Sequence, residues 1–130
     1  MIKVKMLSVL FFIFFVFAPP IWTTPFAYIP NFNDNTVSII DIDNNIVVKT
    51  LTVERPFNAA VTPDGSKVYI SSWKTITVID GNSNQIVNTF SLPKYNLNDR
   101  DFTPEIQDIA VLPDGSRIYV AMAGAILGFK

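Results

Sequence analysis

The 130-residue sequence contains no cysteine and no histidine. Without cysteine there is no disulfide, no thiol nucleophile, no iron–sulfur ligation and no cysteine-linked lipid anchor. Without histidine there is no Ser-His-Asp triad, no His-ligated metal and no His-ligated haem. Only five glycines occur, and none builds a glycine-rich phosphate loop. Charged residues reach just 16% and form no basic stripe, so nucleic acid is not an expected partner. No Asn-x-Ser/Thr sequon is present, which removes N-glycosylation from consideration. Sustained helical periodicity is missing as well. No catalytic centre can be identified, and neither a cofactor nor a metal is expected.

What is abundant is apolar. Hydrophobic residues make up 49% of the chain and aromatics 13%, enough for a packed core in one modest domain. Part of this lies at the N-terminus. Met1 to Lys5 is basic, and Met6 to Ala18 is almost wholly apolar. That order describes a secretory signal peptide and falls short of the roughly 20 apolar residues of a spanning helix. Residues 1–18 are therefore read as a signal peptide or an uncleaved signal anchor, with the boundary extending up to 27. The expected location is outside the cytoplasm: secreted, periplasmic or at the cell surface. Subtracting Lys3 and Lys5 from ten basic residues leaves eight against eleven acidic ones, a net charge of −3.

The remainder is repetitive. Ala60-Val61-Thr62-Pro63-Asp64-Gly65-Ser66-Lys67-Val68-Tyr69-Ile70 returns as Ala110-Val111-Leu112-Pro113-Asp114-Gly115-Ser116-Arg117-Ile118-Tyr119-Val120, 50 positions later (113 − 63). Thr36 to Asp41 returns as Thr75 to Asp80 at an offset of 39 (75 − 36). The difference of 11 residues (50 − 39) fits an insertion at about 94–104, polar and aperiodic, read as a long loop. Periods of about 20–50 residues signal solenoids, propellers or arrays.

Within the repeats, short period-2 segments rich in β-branched and aromatic residues predict strands. They fall near 26–30, 36–41, 46–53, 57–62, 67–72, 75–80, 86–92, 107–112, 117–121 and 125–129. Pro63-Asp64-Gly65 and Pro113-Asp114-Gly115 predict tight turns, with proline presetting φ and glycine accepting φ > 0. Asp43-Asn44-Asn45 and Gly81-Asn82-Ser83-Asn84 predict a second turn in each repeat. Four strands joined by hairpins per roughly 40–50 residues make a propeller blade. The expected fold is all-β, with antiparallel four-stranded blades numbering about two and a half: an open or incomplete β-propeller over residues 19–130.

The repeats resemble the YVTN family of seven-bladed β-propellers. The motif that names the family appears as Tyr28-Ile29-Pro30-Asn31, Tyr69-Ile70-Ser71-Ser72 and Tyr119-Val120-Ala121-Met122. Its following strand appears as Thr36 to Asp41 and Thr75 to Asp80, and in degraded form at Ala125 to Phe129. The resemblance covers the chain from Ala27 onward and implies an exported or cell-surface propeller. It also implies kinship with lactonases and with the propeller parts of haem- or quinone-linked dehydrogenases. The blade count departs from a seven-bladed ring, and Tyr119-Val120-Ala121-Met122 lacks the asparagine of the motif.

Few residues invite a functional reading. Asn31 to Asn35 and Asp41 to Asn45 place oxygens at alternate positions, as some Ca²⁺ loops do, but the EF-hand glycine and glutamate are absent. Since Asp41 recurs as Asp80 and Asn45 as Asn84, turn capping is the expectation. Asp64 and Asp114 sit in repeated turns and read as architectural, as do Tyr69 and Tyr119. Trp73, between two strands, is expected to be packed. The insertion alone is unrepeated, and long loops carry function more often than strands do. Tyr95, Asp99, Arg100, Asp101 and Phe102 are its candidate partner-binding residues. The expected function is a non-enzymatic exported or cell-surface module for binding or scaffolding, a fragment of a longer propeller being one form of it. The alternative is part of a propeller enzyme, lactonase-like or a cofactor-linked dehydrogenase subunit. Expected partners are other proteins or further copies of the chain, meeting exposed blade edges, with the membrane touched only through an uncleaved N-terminus.

Overall fold

The computed structural model describes residues 25–97, 100–102, 105–123 and 125–129. The N-terminal segment read as a signal lies outside the described residues, apart from its outermost boundary near 27.

Three antiparallel meanders follow one another along the chain. The first holds β1 (Phe26–Asn31), β2 (Thr36–Asp41) and β3 (Ile46–Thr52). The second holds β4 (Pro56–Val61), β5 (Lys67–Ser72), β6 (Thr75–Asp80) and β7 (Gln85–Ser91). Between it and the third lies a two-stranded ladder, β8 (Tyr95–Leu97) with β9 (Arg100–Phe102). The third holds β10 (Ile106–Val111), β11 (Ile118–Met122) and β12 (Ala125–Phe129). The propeller-blade strands expected from the sequence all form, within about one residue of the predicted limits. One expectation needs correcting. The insertion is not wholly irregular, because Tyr95, Asn96 and Leu97 pair with Phe102, Asp101 and Arg100. Three-residue strands are too short to carry a readable alternation.

The repeated turns form for repeated reasons. Asp64 accepts hydrogen bonds from the Ser66 amide at 3.0 Å and the Ser66 hydroxyl at 2.9 Å. Asp114 does the same with Ser116 at 2.9 and 2.7 Å. Gly65 and Gly115 take φ of 70° and 71°, where an L side chain is strained. In the second turn type, Asn45 and Asn84 occupy the left-handed region with φ of 53° and 54°. There Asp41 caps the Asn44 amide and Asp80 caps the Ser83 amide. The acidic residues of these turns thus serve their own backbone, as the repetition implied.

Sheets stack face to face, and strand alternation assigns each face. Val68, Ile70 and Ile79 of the middle sheet point back at the first sheet, where Val37, Ile39, Leu51 and Val53 meet them. Ile76, Leu92 and Tyr69 point forward to Ile106, Ile109, Ile118, Val120 and Met122. A middle sheet covered on both faces reads as a nearly continuous apolar run, and Ile76 to Ile79 is buried at every position. Tyr28 ties the first two sheets by donating to Asn84 Oδ1 at 2.5 Å. Asn58 ties the last two by donating to Asp108 Oδ1 at 2.6 Å.

Candidate functional site

One end of the stack gathers the β1–β2, β3–β4 and β5–β6 connections. The β1–β2 turn brings Phe32, the β3–β4 connection brings Arg55, β4 brings Phe57 as its second residue, and the β5–β6 turn brings Trp73. Glu105, Ile106 and Gln107 close the far side at the start of β10. Together they line a cleft of about 350 Å³. This is within the range of small-ligand clefts, which are mostly apolar with a few placed polar groups.

Local bonding fixes the rim. Asn35, in the left-handed region at φ 56°, accepts the Val53 amide on its carbonyl at 3.0 Å. Its side-chain oxygen accepts the Arg55 amide at 2.9 Å. Arg55 itself is held at φ 44°, a conformation that costs a non-glycine residue about 1–2 kcal/mol. In return its guanidinium lies 4.9 Å from the centroid of the Trp73 ring. Lys74 Nζ sits 5.9 Å from that centroid. Phe32 and Phe57 meet edge to face, with centroids 5.9 Å apart and planes at 88°. The Trp73 and Lys74 carbonyls accept the amides of Ile106 and Leu92, so the turn is held from both sides.

A second, more polar recess of about 370 Å³ flanks Trp73 and is lined by Glu54, Arg55, Ser72, Lys74 and Thr75. Ser72 is 3% exposed, and its hydroxyl finds no hydrogen-bond partner. A buried hydroxyl left unmatched costs about 1–3 kcal/mol.

These aromatic groups are exposed: Phe32 47%, Phe57 61% and Trp73 42%. Trp73, expected to be packed although its tight turn could expose it, is therefore exposed. Sequence reasoning also passed over Phe32, Arg55, Phe57 and Gln107. The available signal was an aromatic residue directly after the motif, Phe32 after Asn31 and Trp73 after Ser72, where the third copy carries Ala123. Of the predicted loop residues, Tyr95, Arg100, Asp101 and Phe102 fall on the β8–β9 ladder. Asp99 lies outside the described residues, as do the side chains of the other four. Tyr69 packs between sheets as expected, whereas Tyr119 is 38% exposed.

At the opposite end, Asp64 and Asp114 come together with Thr62, Ser66 and Lys67 around a recess of about 250 Å³. Hydrogen bonds from the Thr62 hydroxyl and the Ser66 amide and hydroxyl hold Asp64 down to about 2. The Ser116 amide and hydroxyl lower Asp114. Carboxylates that stay ionised in this way accept hydrogen bonds and do not deliver protons near neutral pH. No group of three acidic side chains able to hold a metal ion occurs among the described residues.

No family model matches the chain, and no curated protein does. Solved structures do. Hydrazine synthase of Kuenenia stuttgartiensis is 24% identical with a TM-score of 0.65, covering 76% of this chain and 26% of its own. The dihydro-haem d1 dehydrogenase NirN is 18% identical with a TM-score of 0.63, covering 81% and 22%. A protein of unknown function from Bacteroides caccae is 22% identical with a TM-score of 0.57, covering 78% and 35%. The fold is propeller-like. At these identities the likeness shows the fold alone, and the chain spans about a quarter to a third of the length of the structures it matches.

Proposed function

We propose that the chain is a non-enzymatic, exported propeller module of the YVTN type, secreted or held at the cell surface, that binds a ligand in the aromatic cleft. The observation that carries this reading is the convergence of Phe32, Arg55, Phe57 and Trp73 from two adjacent sheets on one apolar recess. Exposed aromatic side chains cost solvation, and here Phe32 and Phe57 hold each other edge to face while the Trp73 turn is bonded from both sides. The ligand class follows from the two sides of Trp73. One side offers aromatic rings, and the other offers the cations of Arg55 and Lys74. A flat apolar body carrying an anionic or hydrogen-bond-accepting group satisfies both. Fold likeness to hydrazine synthase and NirN supports the alternative, a part of a propeller enzyme, only at the level of architecture.

Anilinonaphthalene sulfonate, a flat aromatic anion, is a direct probe. The full chain is expected to bind it saturably at one site, and Trp73→Ala or Arg55→Ala to weaken binding about tenfold with an unchanged urea midpoint. Non-saturable binding that ignores both substitutions would contradict the assignment.

A further inference from the structure

Two opposite charges line the aromatic cleft, and each is rooted in a fixed piece of backbone. Arg55 enters from the β3–β4 connection, where its amide donates to the Asn35 side-chain oxygen at 2.9 Å. Its guanidinium lies 4.9 Å from the centroid of the Trp73 ring. Glu105 stands on the far side, one residue before β10. Its carbonyl accepts the Ala123 amide at 3.2 Å, and the next amide, of Ile106, donates to the Trp73 carbonyl at 3.2 Å. The turn that carries the indole therefore also sets where the Glu105 side chain begins. Among the described residues, neither charge is taken up by an ion pair. Glu54 lines the polar recess on the other side of Trp73, with Arg55 and Lys74. In the aromatic cleft the carboxylate is that of Glu105, with the Gln107 amide nearby in sequence.

We infer that the cleft takes a zwitterion with an aromatic body, of the chemistry of a free aromatic amino acid. The inference rests on the ligand-binding reading of the cleft and adds the cationic group that reading leaves out. A purely anionic aromatic ligand pairs with Arg55 but carries its charge into a cleft that also holds a carboxylate. A purely cationic one meets Glu105 and is opposed by Arg55. One ammonium and one carboxylate on the same ligand satisfy both sides at once. A guanidinium stacked on a ring keeps its N–H edge for a planar carboxylate. The ammonium donates to the Glu105 carboxylate and to the Gln107 side-chain oxygen. The ring lies against Phe32, Phe57 and Trp73. Size agrees, since a cleft of about 350 Å³ is at the small end of ligand sites. Both charges sit at the exposed rim, so they add selectivity more than affinity.

Calorimetric titration of the full chain with L-tryptophan, tryptamine and indole-3-propionate is the test, with anilinonaphthalene sulfonate as the reference anion. L-Tryptophan is expected to bind about tenfold more tightly than either of the others, each of which lacks one charge. Glu105→Gln is expected to remove the advantage of L-tryptophan over indole-3-propionate. The same variant should bind anilinonaphthalene sulfonate about twofold more tightly, because a like charge is gone. A merely structural role for Glu105 would move both ligands in one direction. Arg55→Ala is expected to remove the advantage over tryptamine. Glu105 is exposed, so its substitution leaves the urea midpoint unchanged. Equal affinity for the three indoles would overturn the zwitterion assignment, as would a Glu105→Gln variant that weakens L-tryptophan and the sulfonate alike. Saturable sulfonate binding by the parent in either case would leave the cleft reading standing while this one falls.

Discussion

Single residues in this fold are chosen by backbone demands that recur. Gly81 shows one demand with no left-handed φ involved. Its amide donates to the Ser66 carbonyl at 2.9 Å, and an added Cβ would lie 1.8 Å from the Gly65 carbonyl oxygen. Backbone cannot yield there without moving the Pro63-Asp64-Gly65 turn. Gly81→Ala is therefore expected to destabilise the protein by about 1–3 kcal/mol, read as a lower urea midpoint with the slope unchanged. Asp64 sets a pH dependence. Its folded-state pKa is depressed from 3.8 to about 2, so the carboxylate contributes its stability above pH 3.8 and loses it as pH falls through about 2. Acid titration of the thermal midpoint should show this loss between those values. Asp64→Asn should flatten that segment, and an unchanged profile would mean that the Thr62 and Ser66 hydrogen bonds do not form in solution. Asp64 was legible because it repeats as Asp114, whereas the counterpart of Gly81 in the first repeat is Ile42. The site formed by Phe32, Arg55 and Trp73 was not legible, because their meeting depends on how two sheets lie side by side.

At the scale of elements, alternation fixed most of the architecture in advance. Val37-Ser38-Ile39 and Val68-Tyr69-Ile70 send apolar side chains to defined faces, and every strand so patterned formed. Bulges escaped the sequence reading although they also repeat. Ile39/Ile40 and Val78/Ile79 share one repeat position, and Pro56/Asn58 and Ile106/Asp108 share another. A bulge adds one residue to a strand without breaking its composition, so pattern alone does not reveal it. Its consequence is specific. Asn58 and Asp108 each cap the amide of the next residue, at 2.9 and 2.8 Å, and then bond to one another across the sheets. Asn58→Ala should cost about 1 kcal/mol through loss of this bond. Ile39→Ala, which empties a fully buried site between the first two sheets, should cost about 2–5 kcal/mol. Denaturant titration separates the two, and a reversed order would mean that the polar bond and not apolar stacking joins the sheets.

For the molecule as a whole, stability comes from sheet stacking, since disulfides are excluded by composition. Among the described residues, the middle sheet is flanked on both faces and the outer two on one each. In such arrays, stability is a sum of unit terms and neighbour interfaces. Native-state hydrogen exchange of the full chain reads this order directly. The account predicts the slowest exchange in β5 and β6, with β1 and β11 exchanging faster. Equal exchange across all three sheets would contradict it.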